Sequence, residues 1–264
     1  MKLCKKILAI SLKEKSIFRF DYITGILFAF LSIVLKVYLW KGIYGSSGKA
    51  VNGIVLNDMI VYSIFAGFTE GITKTSVMHD LNDSVLNGSI ASDLLLPIGL
   101  KKYMLIRSIT KNIWGTIYTT IPSVFAAMLF FGFHAEIRFF PFLLYLFSAT
   151  MGIVINFLYS FLFGLSVIWF RNSFFLSNVN SVLFNLFSGT LVPLWFFPKG
   201  LGILSELLPF RYIVFEPVSI LLNKKNPEEI AAALGIQLFW SFALFFAVTL
   251  VWNKGRHKIM IQGG

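Results

Sequence analysis

The amino-acid sequence predicts an all-α, polytopic membrane protein with six transmembrane helices. A bilayer core of about 30 Å takes about 20 helical residues, and a helix can satisfy its backbone hydrogen bonds inside lipid within one segment. The 264 residues are 57% hydrophobic and 13% charged, whereas soluble domains carry about 25% charged residues. We therefore interpret residues 1–264 as one transmembrane domain, whose six predicted spans are Tyr22–Trp40, Asp58–Ile72, Asn112–Phe133, Phe142–Trp169, Phe174–Phe197 and Ala231–Trp252.

The N-terminal segment, residues 1–20, is predicted to form an amphipathic interfacial helix on the inner membrane surface. Leu3, Ile7, Ile10 and Ile17 fall on one helical face among basic residues, a pattern typical of helices that lie in the interface. A poorly ordered basic tail is the alternative. Cys4 is the only cysteine, so an intrachain disulfide is excluded.

Basic residues predict the orientation. With the N-terminus inside, 15 Lys and Arg lie on cytoplasmic segments and 7 outside. The positive-inside rule then places both termini in the cytoplasm. The net charge of +11 would suggest nucleic acid in a soluble protein, but here the charge is sorted by membrane side, so no nucleic-acid partner is expected.

Two ionisable residues fall within the first two predicted spans. Glu70 lies near the inner end of span two, where a charged group is a functional candidate by default. The alternative is a surface pair with Lys74, one helical turn later. Lys36 lies near the outer end of span one and is expected to extend its ammonium group to the lipid headgroups.

The cytoplasmic segment between spans two and three, residues 73–108, contains two short predicted helices. The first passes through Val85 and Leu86 and ends at Asn87-Gly88, since glycine commonly follows a helix end. The second begins near Ser89 or Ser92 and stops before Pro97. Because apolar leucines follow in a segment too short to span the membrane, they need cover from a partner, from the bundle or from the interface.

Predicted span five is the most polar of the six, and its polar residues share one helical face. Two interpretations stay open: hydrogen bonding between helices, or a polar face that lines a path through the membrane. Asn156 in span four is expected to form another interhelical hydrogen bond. The polar residues of span five are Ser177, Asn178, Ser181, Asn185 and Ser188.

Residues 198–226 follow span five and are predicted to form external re-entrant helices. Pro209 and Pro217 interrupt this apolar stretch, and irregular backbone at membrane depth must be covered by protein or face a cavity. It forms either a lid over a path or a pair of interfacial helices. Asn226 and Pro227, followed by two acids, predict the start of span six.

No catalytic or metal-binding pattern is found in the sequence. The three histidines are scattered without metal-ligand spacing, and the glycines before Lys49 do not fit a phosphate-binding loop. The chain is therefore expected to hydrolyse no ATP of its own and to need no cofactor.

Two stretches resemble the type II class of ABC exporter permeases. One is Gly88-x-Ile90-Ala91-x-Asp93-Leu94-Leu95-x-Pro97, and the other is Ser188–Pro198 followed by Leu208–Pro217. The second is most similar to the daunorubicin- and viologen-exporter-like branch. Leu96 departs from the pattern, because many relatives are expected to have arginine there.

The resemblance implies a permease subunit in the cell membrane that moves a drug, peptide or lipid-like compound outward. Its implied partners are ABC ATPase subunits, a second permease chain (identical or a sister) and membrane lipids. An ATP-independent channel or membrane scaffold is the alternative. The residues implied to couple to the ATPase are Val85, Leu86, Asn87, Gly88, Ser89 and Asp93. The residues implied to line the path are those of the span-five face together with Glu70.

Overall fold

The computed structural model describes residues 19–45, 50–95, 97–132, 137–170 and 173–262. The interfacial helix predicted for residues 1–20 lies outside the described residues, except that Arg19 and Phe20 begin the first described helix.

The described residues form a succession of α-helices, which confirms the all-α class. A π-helical segment, Thr116–Thr120, joins α5 to α6, and short 3₁₀ turns cover Leu194–Phe196 and Phe210–Tyr212. The helices are α1 (Arg19–Tyr44), α2 (Leu56–Thr73), α3 (Val77–Leu86), α4 (Ile90–Leu94), α5 (Leu100–Gly115), α6 (Ile121–Phe131), α7 (Phe139–Leu165), α8 (Val167–Phe170), α9 (Ser173–Phe187), α10 (Lys199–Glu206), α11 (Phe215–Leu221) and α12 (Pro227–Gln262).

Four helical stretches in the described residues are long and apolar enough to cross a membrane, namely Phe20–Tyr44, Leu100–Phe131, Phe139–Phe170 and Pro227–Gly255. They contain predicted spans one, three, four and six apart from the last residues of span three. Helix α2 matches predicted span two but has 18 residues, a length of about 27 Å at about 1.5 Å per residue. The six-span topology therefore remains a prediction.

The boundary predicted for span five was wrong, because its helix α9 ends at Phe187 rather than Phe197. Gly189 has a φ of +81°, a conformation that favours glycine. The Tyr62 hydroxyl donates a hydrogen bond to the Gly189 carbonyl over 2.8 Å, and the Phe215 N–H donates to the Ser188 carbonyl over 3.0 Å. These contacts turn the chain away from the helix axis.

The helix of predicted span three also differs from expectation, since it begins at Leu100 rather than Asn112 and so takes in the end of segment 73–108. Its π segment packs beside α2, where a Cβ added at Gly71 would collide with the Thr120 side chain. The absence of a side chain at Gly71 therefore allows the two helices to approach closely.

Helix α7 lies at the centre of the fold and packs against α2, α3, α11 and α12. Tyr145, Ile155 and Phe161 on α7 are almost completely buried. The Asn156 amide donates to the Thr73 carbonyl over 2.8 Å, which confirms the predicted interhelical hydrogen bond.

Residues 198–226 fold into α10, a 3₁₀ turn and α11, with every residue of α11 buried. Short helices therefore surround both prolines, while their depth in the membrane stays a prediction. The buried carboxylate of Glu216 lies 2.8 Å from Arg211 Nε and 2.6 Å from Lys225 Nζ, which the sequence did not indicate. Such pairing offsets the cost of removing a charge from water.

The start of α12 agrees with the prediction. The Asn226 side chain accepts a hydrogen bond from the Glu229 N–H over 2.8 Å, and the Glu229 carboxylate accepts one from the Asn226 N–H over 2.9 Å. This reciprocal arrangement is a capping box.

We expect Gly152→Ala to lower the free energy of unfolding by about 1–3 kcal/mol, as overpacking in a core does. A Cβ at Gly152 on α7 would lie 2.8 Å from the Ile213 carbonyl oxygen, so backbone must shift. Gly235→Ala on α12 is the matched control, because its Cβ would have no atom within 4 Å and alanine favours the helix. Thermal unfolding in detergent distinguishes the two, and equal stability of both variants would contradict the close contact.

Candidate functional site

The predicted cytoplasmic helices are present as α3 and α4. Helix α3 ends at Leu86 and α4 begins at Ile90, and Gly88 between them has a φ of +74°. Both boundaries agree with the sequence-based prediction. The pair forms a compact bend instead of an open connecting loop.

The base of α3 is firmly attached to the rest of the molecule. Met78 and Leu81 are buried and contact α7 at Gly164. Lys111 Nζ on α5 lies 2.5 Å from the Asp80 carboxylate, and the hydroxyl groups of Thr75 and Ser108 are 2.7 Å apart. The start of α3 and the residue before its cap are therefore joined to both α5 and α7.

The bend between α3 and α4 presents an exposed tip. Leu86 is 50% exposed and Leu95 is 86% exposed, whereas Val85 packs partly buried against the core. Asn87, Gly88 and Ser89 are also exposed, and Asp93 is half-buried. The structure thus brings the predicted coupling residues together at one site, but it separates the outward-facing Leu86 from the inward-packed Val85.

The polar residues predicted on span five divide into two groups on α9. Asn178, Ser181 and Asn185 are exposed, and Ser177 is half-buried. Ser188 is buried, and its hydroxyl lies 3.0 Å from that of Thr190. Ser188 therefore belongs to the turn after α9, while Asn178, Ser181 and Asn185 form an exposed polar face of the helix.

A cleft of about 730 Å³ lies between α1, α2 and the continuous helix formed by α5, the π segment and α6. Hydroxyl groups of the π segment line one wall, and Lys36 and Glu70 line the others. A π segment often marks a functional region of a helix. None of the described residues of α9 lines this cleft, so the structure does not bring Glu70 together with the polar face of α9 within one chain.

Glu70 pairs with Lys36, at a distance of 3.3 Å from Nζ to Oε2. The predicted pairing of Glu70 with Lys74 and the predicted extension of Lys36 to the headgroups were both wrong. The Lys36 side chain is only 12% exposed and that of Glu70 is 39% exposed, so the carboxylate faces the cleft. The pair forms because α1 packs directly against α2 and brings the two opposite charges together.

Sequence reasoning missed both the cleft and this ion pair. The available signal was the occurrence of opposite charges in two consecutive spans, since consecutive helices usually pack together. The wall of the cleft that the π segment lines could not be located from the sequence, because no sequence pattern indicated that α5 would continue through a π segment.

The comparisons with known proteins identify one family. A family model described as "ABC-2 family transporter protein" matches residues 17–263. No curated protein and no solved structure gives a significant match to the chain.

We expect the Lys36–Glu70 pair to couple α1 to α2 energetically. Lys36→Met leaves a carboxylate without its partner, whereas the double variant Lys36→Met, Glu70→Gln removes both charges. The double-mutant cycle should give a coupling of about 0.5–3 kcal/mol, the range for residues in contact. Lys199→Met, at an exposed lysine of α10, is the control for the substitution itself. Unfolding measurements that give additive effects of the two changes would show that the pair contributes nothing.

Proposed function

The chain belongs to the ABC-2 family of transporter proteins, and from this premise we propose that it is the permease subunit of an ABC exporter. It moves its substrate outward while a separate ABC ATPase subunit hydrolyses ATP. The family match over residues 17–263 carries this proposal. The resemblance to the daunorubicin- and viologen-exporter-like branch supports the outward direction and an amphiphilic drug, peptide or lipid-like substrate.

In this proposal the tip between α3 and α4 is the contact with the ATPase. The exposed leucines, Leu86 and Leu95, lie beyond α2 on the side that the charge distribution assigns to the cytoplasm, where an ATPase is available. A groove on the ATPase would bury Leu86 and so remove its exposed apolar surface from water. The contacts of α3 with α5 and α7 then carry movement of the ATPase into the membrane helices.

The transport path in this proposal runs along α9, at the contact between two permease chains. Asn178, Ser181 and Asn185 are exposed on an apolar helix. Amide groups facing lipid are unfavourable, so such residues usually face a protein or a polar cavity. A second permease chain, identical or a sister, would cover this face and enclose a polar passage. The proposed topology is that of a cell-membrane protein with six spans and both termini in the cytoplasm.

Purification of the assembled complex tests the proposal as a whole. The tagged chain should retain an ABC ATPase subunit and a second permease chain in equal amounts. A chain that purifies without any ATPase, yet still conducts in vesicles, would instead be an ATP-independent channel.

Leu86→Asp should separate ATP hydrolysis from export. Burial of an unpaired carboxylate in a docking groove costs several kcal/mol, so the amount of co-purified ATPase should fall at least tenfold. The permease itself should insert and fold normally, since Leu86 is half exposed. Co-purification and ATP-driven efflux of daunorubicin from vesicles are the two measurements.

The matched control is Leu207→Asp, another exposed leucine, which follows α10 in the segment predicted to be external. It should leave ATPase binding unchanged. If Leu86→Asp retains the ATPase and exports daunorubicin at the normal rate, the coupling assignment is wrong.

Asn185→Trp should block daunorubicin efflux while the complex stays assembled, because a large ring would fill the passage. The adjacent Leu186→Trp is the control, since Leu186 is exposed on the same helix but lies about 100° around its axis. Asn180 does not serve this purpose, because its side-chain oxygen is buried without a hydrogen-bond partner among the described residues. Loss of assembly in step with efflux would show that the polar face only joins helices.

A further inference from the structure

The cleft between α1, α2 and α5–α6 is separate from the exposed tip and from the α9 face, although Thr75 and Lys111, which join the α3 region to α5, also line it. Its volume of about 730 Å³ lies within the range of small-molecule binding sites, about 300–1,000 Å³. The lining combines the Lys36–Glu70 pair, hydroxyl groups and apolar side chains such as Phe28. An amphiphile would match this mixture.

The charges of the cleft favour an anion. Glu70 neutralises Lys36, and Asp80 neutralises Lys111. Lys74, also in the lining, is exposed and has no ion-pair partner among the described residues. One positive charge therefore remains uncompensated, and the imidazole ring of His79 is a further polar group in the lining.

The position of Lys74 fits the headgroup level of a membrane leaflet. It follows Thr73, the last residue of α2, and the Asn112 amide donates a hydrogen bond to its carbonyl, which fixes the end of the helix. Phe28, an exposed apolar residue of α1, also lines the cleft and is 69% exposed. A polar group near Lys74 would thus continue into an apolar wall suited to an acyl chain.

We infer that this cleft binds an anionic phospholipid of the inner leaflet. Its phosphate group pairs with Lys74, and its acyl chain lies along α1 beside Phe28. Binding at this site requires neither the ATPase nor a second permease chain.

Native mass spectrometry of the purified full chain with added phosphatidylglycerol tests the inference. The chain should retain phosphatidylglycerol in preference to phosphatidylcholine, and Lys74→Gln should weaken retention about fivefold, the effect of one basic residue on an anionic lipid. Lys254→Gln is the charge control, because Lys254 is an exposed lysine near the end of α12 that does not line the cleft. Equal losses in both variants would indicate general surface attraction and overturn the inference.

A second pair of variants tests the location without changing charge. Gly115 lines the cleft, and a Cβ there would meet no atom within 4 Å, as at Gly235 on α12. Gly115→Phe should fill the space and release the lipid, whereas Gly235→Phe should not. Millimolar inorganic phosphate should leave the lipid bound, because it lacks an acyl chain. Retention of lipid by Gly115→Phe, or displacement by phosphate alone, would show that the cleft is not a phospholipid site.

Discussion

The break in the chain after α9 depends on polar side chains that satisfy its backbone groups inside an apolar molecule. Tyr62 on α2 binds the Gly189 carbonyl, and the Gln237 amide on α12 donates to the Tyr212 carbonyl over 2.7 Å and to the Ser148 carbonyl over 3.1 Å. Irregular backbone away from water is stable only when such partners are present. These bonds join α2, α7 and α12 around α11 and so fix the centre of the fold.

The proposed working parts lie at the edge of this fixed centre. The tip with Leu86 and the polar face of α9 are exposed, and the cleft beside Lys36 is partly lined by exposed residues such as Phe28, whereas α11 is fully buried and α7 contributes many buried residues. Under the proposed function, such an arrangement would let the periphery meet an ATPase, a second chain and lipid without exposing the polar groups of the break. The buried carboxylate of Glu216 strengthens the same division, because Arg211 joins α11 to the 3₁₀ turn before it and Lys225 joins α11 to the loop that follows it.

Local chemistry determined which parts of the fold could be predicted from the sequence. Hydrophobic length located the long helices, Gly88 marked the end of α3, and the cap at Asn226 marked the start of α12. The end of α9 could not be read locally, because Tyr62, distant in sequence, stabilises it. The partner of Glu70 was likewise missed, since a lysine one turn away on the same helix was the obvious alternative and the packing of α1 against α2 decided otherwise.

The π segment Thr116–Thr120 gives the long helix two differently directed halves. Each residue of an α-helix advances about 100° around the axis, and a π turn accommodates one extra residue, so the faces before and after it are offset by about that angle. Before the segment, α5 turns Ser108 and Lys111 toward the region at the start of α3. After it, α6 turns Val124 and Ala127 toward α1 and α2. The π segment thus sets the rotation between the contact faces of α5 and α6. Loss of a single residue from this stretch would misalign one of these two sets of contacts.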